Sequence, residues 1–219
     1  STSTIEQTAN RQAAAVTQSG EGQRSTVRQS AASSGGFVGT IEFGSVNTAV
    51  AIVKQSNANN TSEIDQTGTT EGAFVTQSGE GNFSDVNQSG SFNLVVVDQS
   101  GDDNRTTAEQ SGSSGDLNVN QSGDRNEADV LQSGFDNSSG DNTGLVGIDQ
   151  SGNDNDATVN QTGQLSEAFI VQAGSNNGAT INQSVGNAPN PPGGPDPRVA
   201  NASITQNGDS NTSTIDQFG

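Results

Sequence analysis

The sequence predicts an all-β protein, a flattened β-solenoid in which two sheets lie back to back and each coil takes about 22 residues. Three observations support this prediction. Glutamine recurs at a fixed interval along most of the chain, glycine follows nearly every glutamine at the same distance, and apolar residues alternate with polar ones in between. A fixed repeat of this kind is typical of proteins built from stacked, similar layers.

The glutamine repeat has a period of eleven residues. Its phase is kept without a slip from Gln55 to Gln132, and shorter runs with the same step lie on both sides. A polar residue on such a grid indicates a side chain with the same structural role in every layer. We therefore predict a buried ladder made of Gln7, Gln18, Gln29, Gln55, Gln66, Gln77, Gln88, Gln99, Gln110, Gln121, Gln132, Gln150, Gln161, Gln172, Gln183, Gln206 and Gln217.

The segment from Gln88 to Gln99 shows one repeat unit. With Gln88 as position 0, glycine stands at 2, asparagine at 5, apolar residues at 7 and 9, and the next glutamine at 11. Positions 5, 7, 9 and 11 share one face of a β-strand, and the glycine segment predicts the turn. A second buried ladder is predicted for the asparagines, namely Asn60, Asn82, Asn93, Asn104, Asn126, Asn155, Asn177 and Asn211.

Two other structural interpretations compete with the solenoid. An eleven-residue period also occurs in right-handed helical supercoils, but a glycine in each unit would cost ~1 kcal/mol in a helix, and the apolar spacing is two. The second interpretation is disorder, because Leu, Ile, Val and Phe number only 40 of 219 residues and the net charge is -18. A disordered chain would keep a coil-type circular dichroism spectrum on incubation.

A single strand and turn cannot bury its own apolar face, whereas two units that face each other can. Two units therefore make one coil, and equivalent strands of successive coils pair in parallel at ~4.8 Å. In such a stack each buried amide bonds to its copy in the next coil, which satisfies its donors and acceptors.

Three longer intervals interrupt the repeat and predict loop insertions near residues 30–36, 137–144 and 186–199. The last two follow the same sheet when strands alternate, so we expect them at one edge of the solenoid. Residues 37–43 alternate like a strand, and Phe43 is predicted to replace a glutamine, which gives 18 strands, nine coils and one domain over residues 1–219. Proline cannot donate to a sheet ladder, and all five prolines lie in the last insertion: Pro189, Pro191, Pro192, Pro195 and Pro197.

Composition narrows the functional classes. The chain has no Cys and no His, so the usual nucleophile, general base and zinc ligands are missing, and we predict no catalytic residue, metal site or cofactor. The 25 acidic and seven basic residues argue against nucleic acid, and no apolar run approaches the ~20 residues of a membrane span. Because methionine is absent, we expect a processed, secreted product without its signal peptide.

The unit resembles the curlin repeat, Ser-x5-Gln-x-Gly-x2-Asn-x-Ala-x3-Gln, of the secreted bacterial curli subunits. The segments from Gln121 to Gln132 and from Gln150 to Gln161 carry its glutamine-to-glutamine part fully, and Val95 takes the alanine position in an earlier unit. The resemblance implies an extracellular functional amyloid, exported through an outer-membrane pore and nucleated by another subunit at the cell surface. Its fibres would build biofilm matrix and adhere to surfaces.

Both ends of the sequence continue the strand pattern, whereas soluble solenoids normally carry polar caps. With 18 strands, the next subunit's first strand would fall in the correct sheet. The alternative function is a monomeric secreted β-solenoid that acts as an adhesin or ligand-binding module. We predict a head-to-tail homopolymer that grows through the edges formed by Ser1, Ser3, Ile5, Gln7, Asn211, Ser213, Ile215 and Gln217.

Overall fold

The computed structural model describes residues 1–8, 12–29, 49–135, 145–164, 166–185 and 200–218. This part of the chain consists of short strands and turns and contains no helix. The strands are β1 (Thr2–Gln7), β2 (Gln12–Glu21), β3 (Arg24–Gln29), β4 (Ala49–Ala58), β5 (Thr61–Gln66), β6 (Gly72–Glu80), β7 (Phe83–Gln88), β8 (Leu94–Ser100), β9 (Arg105–Gln110), β10 (Asp116–Ser122), β11 (Glu127–Phe135), β12 (Leu145–Asn153), β13 (Asp156–Gln164), β14 (Ser166–Ser175), β15 (Gly178–Val185), β16 (Ala200–Asn207) and β17 (Thr212–Phe218).

Consecutive strands alternate between two parallel sheets. The odd-numbered strands form a nine-stranded sheet in chain order, and the even-numbered strands form an eight-stranded sheet. Each strand pairs with the strand two places along the chain, and the register always sets glutamine opposite glutamine, as for Gln99 and Gln121. Two successive strands therefore make one coil, and there are about nine coils. The predicted two-sheet β-solenoid is confirmed.

Small and β-branched side chains fill the space between the sheets. In the middle of the stack, Val97 and Val119 from the eight-stranded sheet and Ala108 and Val130 from the nine-stranded sheet are buried. Exposure alternates along the strands, so that β9 reads exposed, buried, intermediate, buried, exposed, buried. One apolar face per strand is thus removed from water, which is the main favourable contribution to folding.

The described residues contain 17 strands, one fewer than the 18 predicted. Strand β2 pairs directly with β4, and β3 pairs directly with β5, so the stack has no place for a strand between them. Phe43, predicted to replace a glutamine in such a strand, lies outside the described residues. The eighteenth strand was predicted from alternation in residues 37–43, a segment that no glutamine closes and that also lies outside the described residues.

The predicted insertions at 30–36, 137–144 and 186–199 also lie outside the described residues. The strands on either side of these intervals stack without a break. In one sheet β3 is next to β5, β11 to β13 and β15 to β17; in the other β2 is next to β4, β10 to β12 and β14 to β16. Each interval follows a strand of the nine-stranded sheet and precedes a strand of the eight-stranded sheet.

The turns stack as closely as the strands do, and this requires glycine. Gly101 has a φ of +101°, and a Cβ placed on it would lie 2.1 Å from the carbonyl oxygen of Gly123 in the next coil. Both the backbone conformation and the space therefore exclude a side chain. This explains the glycine that follows nearly every glutamine.

We predict that Gly101→Ala lowers the free energy of unfolding by about 2–4 kcal/mol, since it adds strain at positive φ and a clash with Gly123. Urea unfolding followed by circular dichroism measures the change. Gly178→Ala is the matched control, because its φ is ordinary and a Cβ there would lie 3.9 Å from Thr212 Oγ1. We expect the control to be neutral or slightly stabilising. Equal losses for both variants would contradict the role given to the stacked turns.

Candidate assembly site: amide ladders and open strand edges

The glutamines form two hydrogen-bonded columns, one at the end of each sheet's strands. The Nε2 of one glutamine donates to the Oε1 of the glutamine one coil later, as from Gln77 to Gln99 at 2.8 Å and from Gln99 to Gln121 at 2.9 Å. In every such pair the donor is the glutamine that comes earlier in the chain. One column contains Gln7, Gln29, Gln66, Gln88, Gln110, Gln132, Gln161, Gln183 and Gln217. The other contains Gln18, Gln55, Gln77, Gln99, Gln121, Gln150, Gln172 and Gln206.

Many of these amides also tie the two sheets together. Gln99 Nε2 in β8 donates to the carbonyl oxygen of Phe83 in β7 at 3.0 Å, and Gln77 Nε2 in β6 makes the same bond to Thr61 in β5. The partner lies 16 residues earlier in the chain in both cases. Sequence reasoning did not predict this contact, although the constant spacing of the repeat units places a backbone carbonyl of the facing strand at the same offset from each glutamine. The amide thus stabilises the stack along its axis and the packing between the sheets.

The asparagines lie in turns, and their geometry differs from the amide-to-amide ladder that was predicted. The Oδ1 of Asn60 accepts the backbone N–H of Asn82 at 3.0 Å, and the Nδ2 of Asn82 donates to the carbonyl oxygen of Gly101 at 2.8 Å. Among the described residues of this ladder, asparagine side chains bond to one another only in the later coils, in addition to their bonds with the backbone. These pairs run along Asn104, Asn126, Asn155, Asn177 and Asn211.

Asn93 stands apart from the other seven asparagines. It lies at the opposite edge of the solenoid, where its Oδ1 accepts the backbone N–H of Gly115 at 3.1 Å and its Nδ2 donates to the carbonyl oxygen of Gly112 at 3.2 Å. The predicted asparagine set therefore belongs to two edges. Only one of these edges has a run of asparagines, because glycine or glutamate stands at this position in the coils next to Asn93.

Glu71 occupies the asparagine position one coil before Asn93 and is almost fully buried, with 1% of its surface exposed. Its Oε2 accepts the backbone N–H of Gly68 at 3.0 Å, while its Oε1 has no hydrogen-bond partner among the described residues. Burial raises the pKa of this carboxyl to about 7; the neighbouring Asp65 charge adds to the rise, and the Gly68 N–H and the Asn93 amide oppose it.

The two outer strands of the nine-stranded sheet, β1 and β17, have open edges whose backbone N–H and C=O groups are in complementary positions, which we call matching phase. Thr2 N–H donates to the carbonyl oxygen of Gln23 at 2.8 Å, and backbone groups alternate in direction along a parallel strand. The N–H and C=O groups of Ser3 and Ile5 in β1 therefore point away from β3. At the other end, Gly178 N–H donates to the carbonyl oxygen of Asn211 at 2.8 Å, so in β17 the open groups belong to Thr212, Thr214 and Asp216.

Exposed charges link successive coils on the outer surface. Arg125 Nε donates to Asp154 Oδ1 at 2.7 Å, and this bond lowers the pKa of the Asp154 carboxyl. Because both side chains are exposed, we expect this ion pair to contribute little to stability. Within the described ranges, no three acidic side chains converge as metal ligands would.

The fold and the ladders define a class, namely a parallel two-sheet β-solenoid held by in-register amide columns. A model of the curlin associated repeat matches four overlapping segments, residues 80–112, 92–123, 112–140 and 123–163. Residues 80–163 are therefore similar to the curlin associated repeat, and the predicted resemblance is confirmed for this stretch. No curated protein matches the chain. Among the described residues there is no helix with the length and apolar character needed to cross a membrane.

We predict that Gln99→Leu lowers the free energy of unfolding by about 2–4 kcal/mol. Leucine has a side chain of similar size, but it cannot accept the hydrogen bond from Gln77 or donate one to Gln121 inside the core. Chemical denaturation provides the measurement. Gln18→Leu is the control, because Gln18 lies at the end of the same column and is partly exposed, so a loss of about 1 kcal/mol is expected. Indistinguishable losses would exclude a special role for the buried ladder.

We predict that Glu71 makes the fold less stable as pH rises. A carboxyl whose pKa is higher in the folded chain contributes full stability below its ordinary value of 4.5, and this contribution is lost as pH rises towards about 7. The raised pKa corresponds to a loss of about 3 kcal/mol in the free energy of unfolding. Glu71→Gln should remove this part of the pH dependence in denaturation experiments at pH 4.5 and 8.

Part of the slope will remain in Glu71→Gln, since burial also raises the pKa values of Asp85, Asp116 and Asp156. The exposed Glu109 supplies the matched control, and Glu109→Gln should keep the full slope of the natural chain. An unchanged slope in Glu71→Gln would contradict the prediction.

Proposed function

We propose that this chain is a structural subunit of an extracellular, curli-like amyloid fibre that polymerises head to tail and contributes to biofilm matrix and surface adhesion. The curlin associated repeats at residues 80–163 support this proposal, because that family is structural and associated with fibres at the cell surface. In the same proposal residues 1–219 act as one domain without enzymatic activity. A nucleating subunit and an outer-membrane secretion pore are the partners that the family implies.

The observation that carries the proposal is the matching phase of β1 and β17. The register that sets Gly178 opposite Thr212 can be continued by setting Thr212 opposite Thr2 of a second copy. In that register Thr214 N–H would donate to the carbonyl of Ser3, and Ile5 N–H would donate to the carbonyl of Thr214. Every open backbone group of one edge then meets a complementary group of the other, as in strand addition.

The side chains of these edges continue the same ladders. Gln217 accepts from Gln183 at 2.8 Å, and its own Nε2 already donates to the carbonyl oxygen of Asn201 at 3.1 Å. Its remaining N–H can donate to Gln7 Oε1 of the next copy. Gln7 in turn donates to Gln29 at 2.8 Å, so the direction of the ladder is preserved across the junction.

The strand count changes the expected junction. An even number of strands was predicted, whereas the two sheets contain nine and eight strands within the described residues. Continuing the nine-stranded sheet leaves one open strand position per copy in the other sheet, between β16 and the next β2. Continuing the eight-stranded sheet would force nine strands into eight positions. The nine-stranded sheet therefore sets the proposed axial repeat, about 43 Å at the usual strand spacing.

The test is assembly of the purified chain, followed by light scattering and electron microscopy. We expect unbranched fibres with a cross-β spacing near 4.8 Å and an axial repeat of about 43 Å. Thr214→Pro should abolish elongation, because it removes an open-edge N–H of β17 while the β15–β17 bonds remain. Circular dichroism should show that the variant monomer still folds.

Thr214→Ala is the matched control, since it keeps the backbone N–H and changes only an exposed side chain. It should assemble like the natural chain. If Thr214→Pro elongates equally well, β17 is not the growing edge. If the natural chain stays monomeric at high concentration, the fibre proposal fails and a monomeric adhesin or ligand-binding module becomes the better reading.

A further inference from the structure

The outer face of the eight-stranded sheet is apolar from β2 to β8. Two adjacent columns of outward side chains run across these four strands in strict register. Their members are partly exposed, and Ala15 is exposed. The next strand, β10, ends the patch with Asp116 and Asn118. We call this patch the apolar face; it consists of Ala13, Val50, Gly72 and Leu94 in one column and Ala15, Ile52, Phe74 and Val96 in the other.

The apolar face contrasts with the rest of a chain whose net charge is -18. At matching heights the outer surface of the nine-stranded sheet carries charged groups such as Arg24, Glu63 and Asp85. The apolar face itself contains no ionisable group. Contiguous apolar patches on otherwise polar surfaces mark sites of protein association.

A polar column borders the apolar face and carries two opposite charges. In register across β2, β4, β6 and β8 it contains Thr17, Lys54, Thr76 and Asp98. Lys54 and Asp98 are exposed and lie on either side of Thr76, about 10 Å apart at the usual strand spacing. Lys54 makes no ion pair with any of the described residues.

We propose that the apolar face packs against the same face of a second copy, with the two stacks antiparallel. A twofold axis that runs along β6 sets β4 of one copy opposite β8 of the other and leaves each column facing itself. Lys54 then lies opposite Asp98 of the second copy, and the reciprocal pair forms as well. A twofold axis along the stack would instead keep each strand opposite the same strand of the second copy, so that Lys54 in β4 would not face Asp98 in β8.

The buried area of the contact indicates whether it can pair isolated monomers or only filaments. With the axis along β6, the apolar faces overlap over β4, β6 and β8, and two columns over three strands cover roughly 190 Å² per copy, so one pair buries about 380 Å², below the ~1,000 Å² of a stable complex. Two monomers therefore pair weakly. A filament repeats the apolar face once per subunit, and the contacts add along its length. The pairing of filaments rests on the proposed fibre function, whereas the contact itself does not.

A cysteine trap tests the contact without requiring fibres, since the natural chain has no cysteine. Lys54→Cys and Asp98→Cys chains are mixed at high concentration under mild oxidation. We expect the mixed disulfide dimer to form several-fold more than either symmetric dimer. Glu63→Cys mixed with Thr107→Cys is the matched control, because these positions have the same two-strand separation on the other sheet's outer face. If the mixed dimer forms no more readily than in this control, the proposal is overturned.

Charge reversal tests the antiparallel arrangement in assembled material. Electron microscopy should show paired filaments for the natural chain, and single filaments for Ile52→Lys and for Lys54→Glu. Adding Asp98→Lys to Lys54→Glu should restore the pairs, because the two charges are only exchanged. Pairs that survive Ile52→Lys, or a double variant that stays single, overturn the proposal. If the natural chain forms no filaments, the fibre function fails and the cysteine trap alone decides the contact.

Discussion

The buried side-chain amide, bonded to its copy one coil away, is the interaction on which this fold depends. A glutamine such as Gln99 is 0% exposed, and it avoids the cost of burial only if the next coil offers glutamine at the same register. A slip by one residue would turn every amide and every apolar side chain to the other face of its sheet. The ladder thus fixes the register, while neighbouring inward positions vary among Ala, Val, Ile and Thr.

Periodicity made most of this architecture predictable. The eleven-residue spacing indicated strands, turns and parallel stacking. A polar residue that is buried in every layer can form its hydrogen bonds only if identical layers stack in register. It did not reveal how turns close, because Asn82 bonds to backbone atoms of other coils whose approach depends on local conformation. Nor could alternation alone decide whether residues 37–43 enter the stack. The pairing of β2 with β4 joins segments that are far apart in the sequence, and a local sequence pattern cannot predict it.

The outward positions are free of the ladder constraint, and the two outer faces have diverged. Charges such as Arg105 and Glu127 sit one coil apart on the nine-stranded sheet, where their ion pair is 3.6 Å long and exposed. The other sheet carries apolar side chains such as Ile52 and Val96 on the outer face of β4 and β8. One repeat unit therefore serves two purposes: its inward residues specify the fold, and its outward residues determine how the stack meets its surroundings.

The common direction of the glutamine bonds gives the stack an electrical polarity. Backbone dipoles in a sheet alternate and largely cancel, but the amide groups of both columns all point from the beginning of the chain towards its end. Their dipoles add, as peptide dipoles do in a helix, and leave a partial positive charge at the β17 end and a partial negative charge at the β1 end. Anions and cations in the medium will therefore discriminate between the two tips of such a thread.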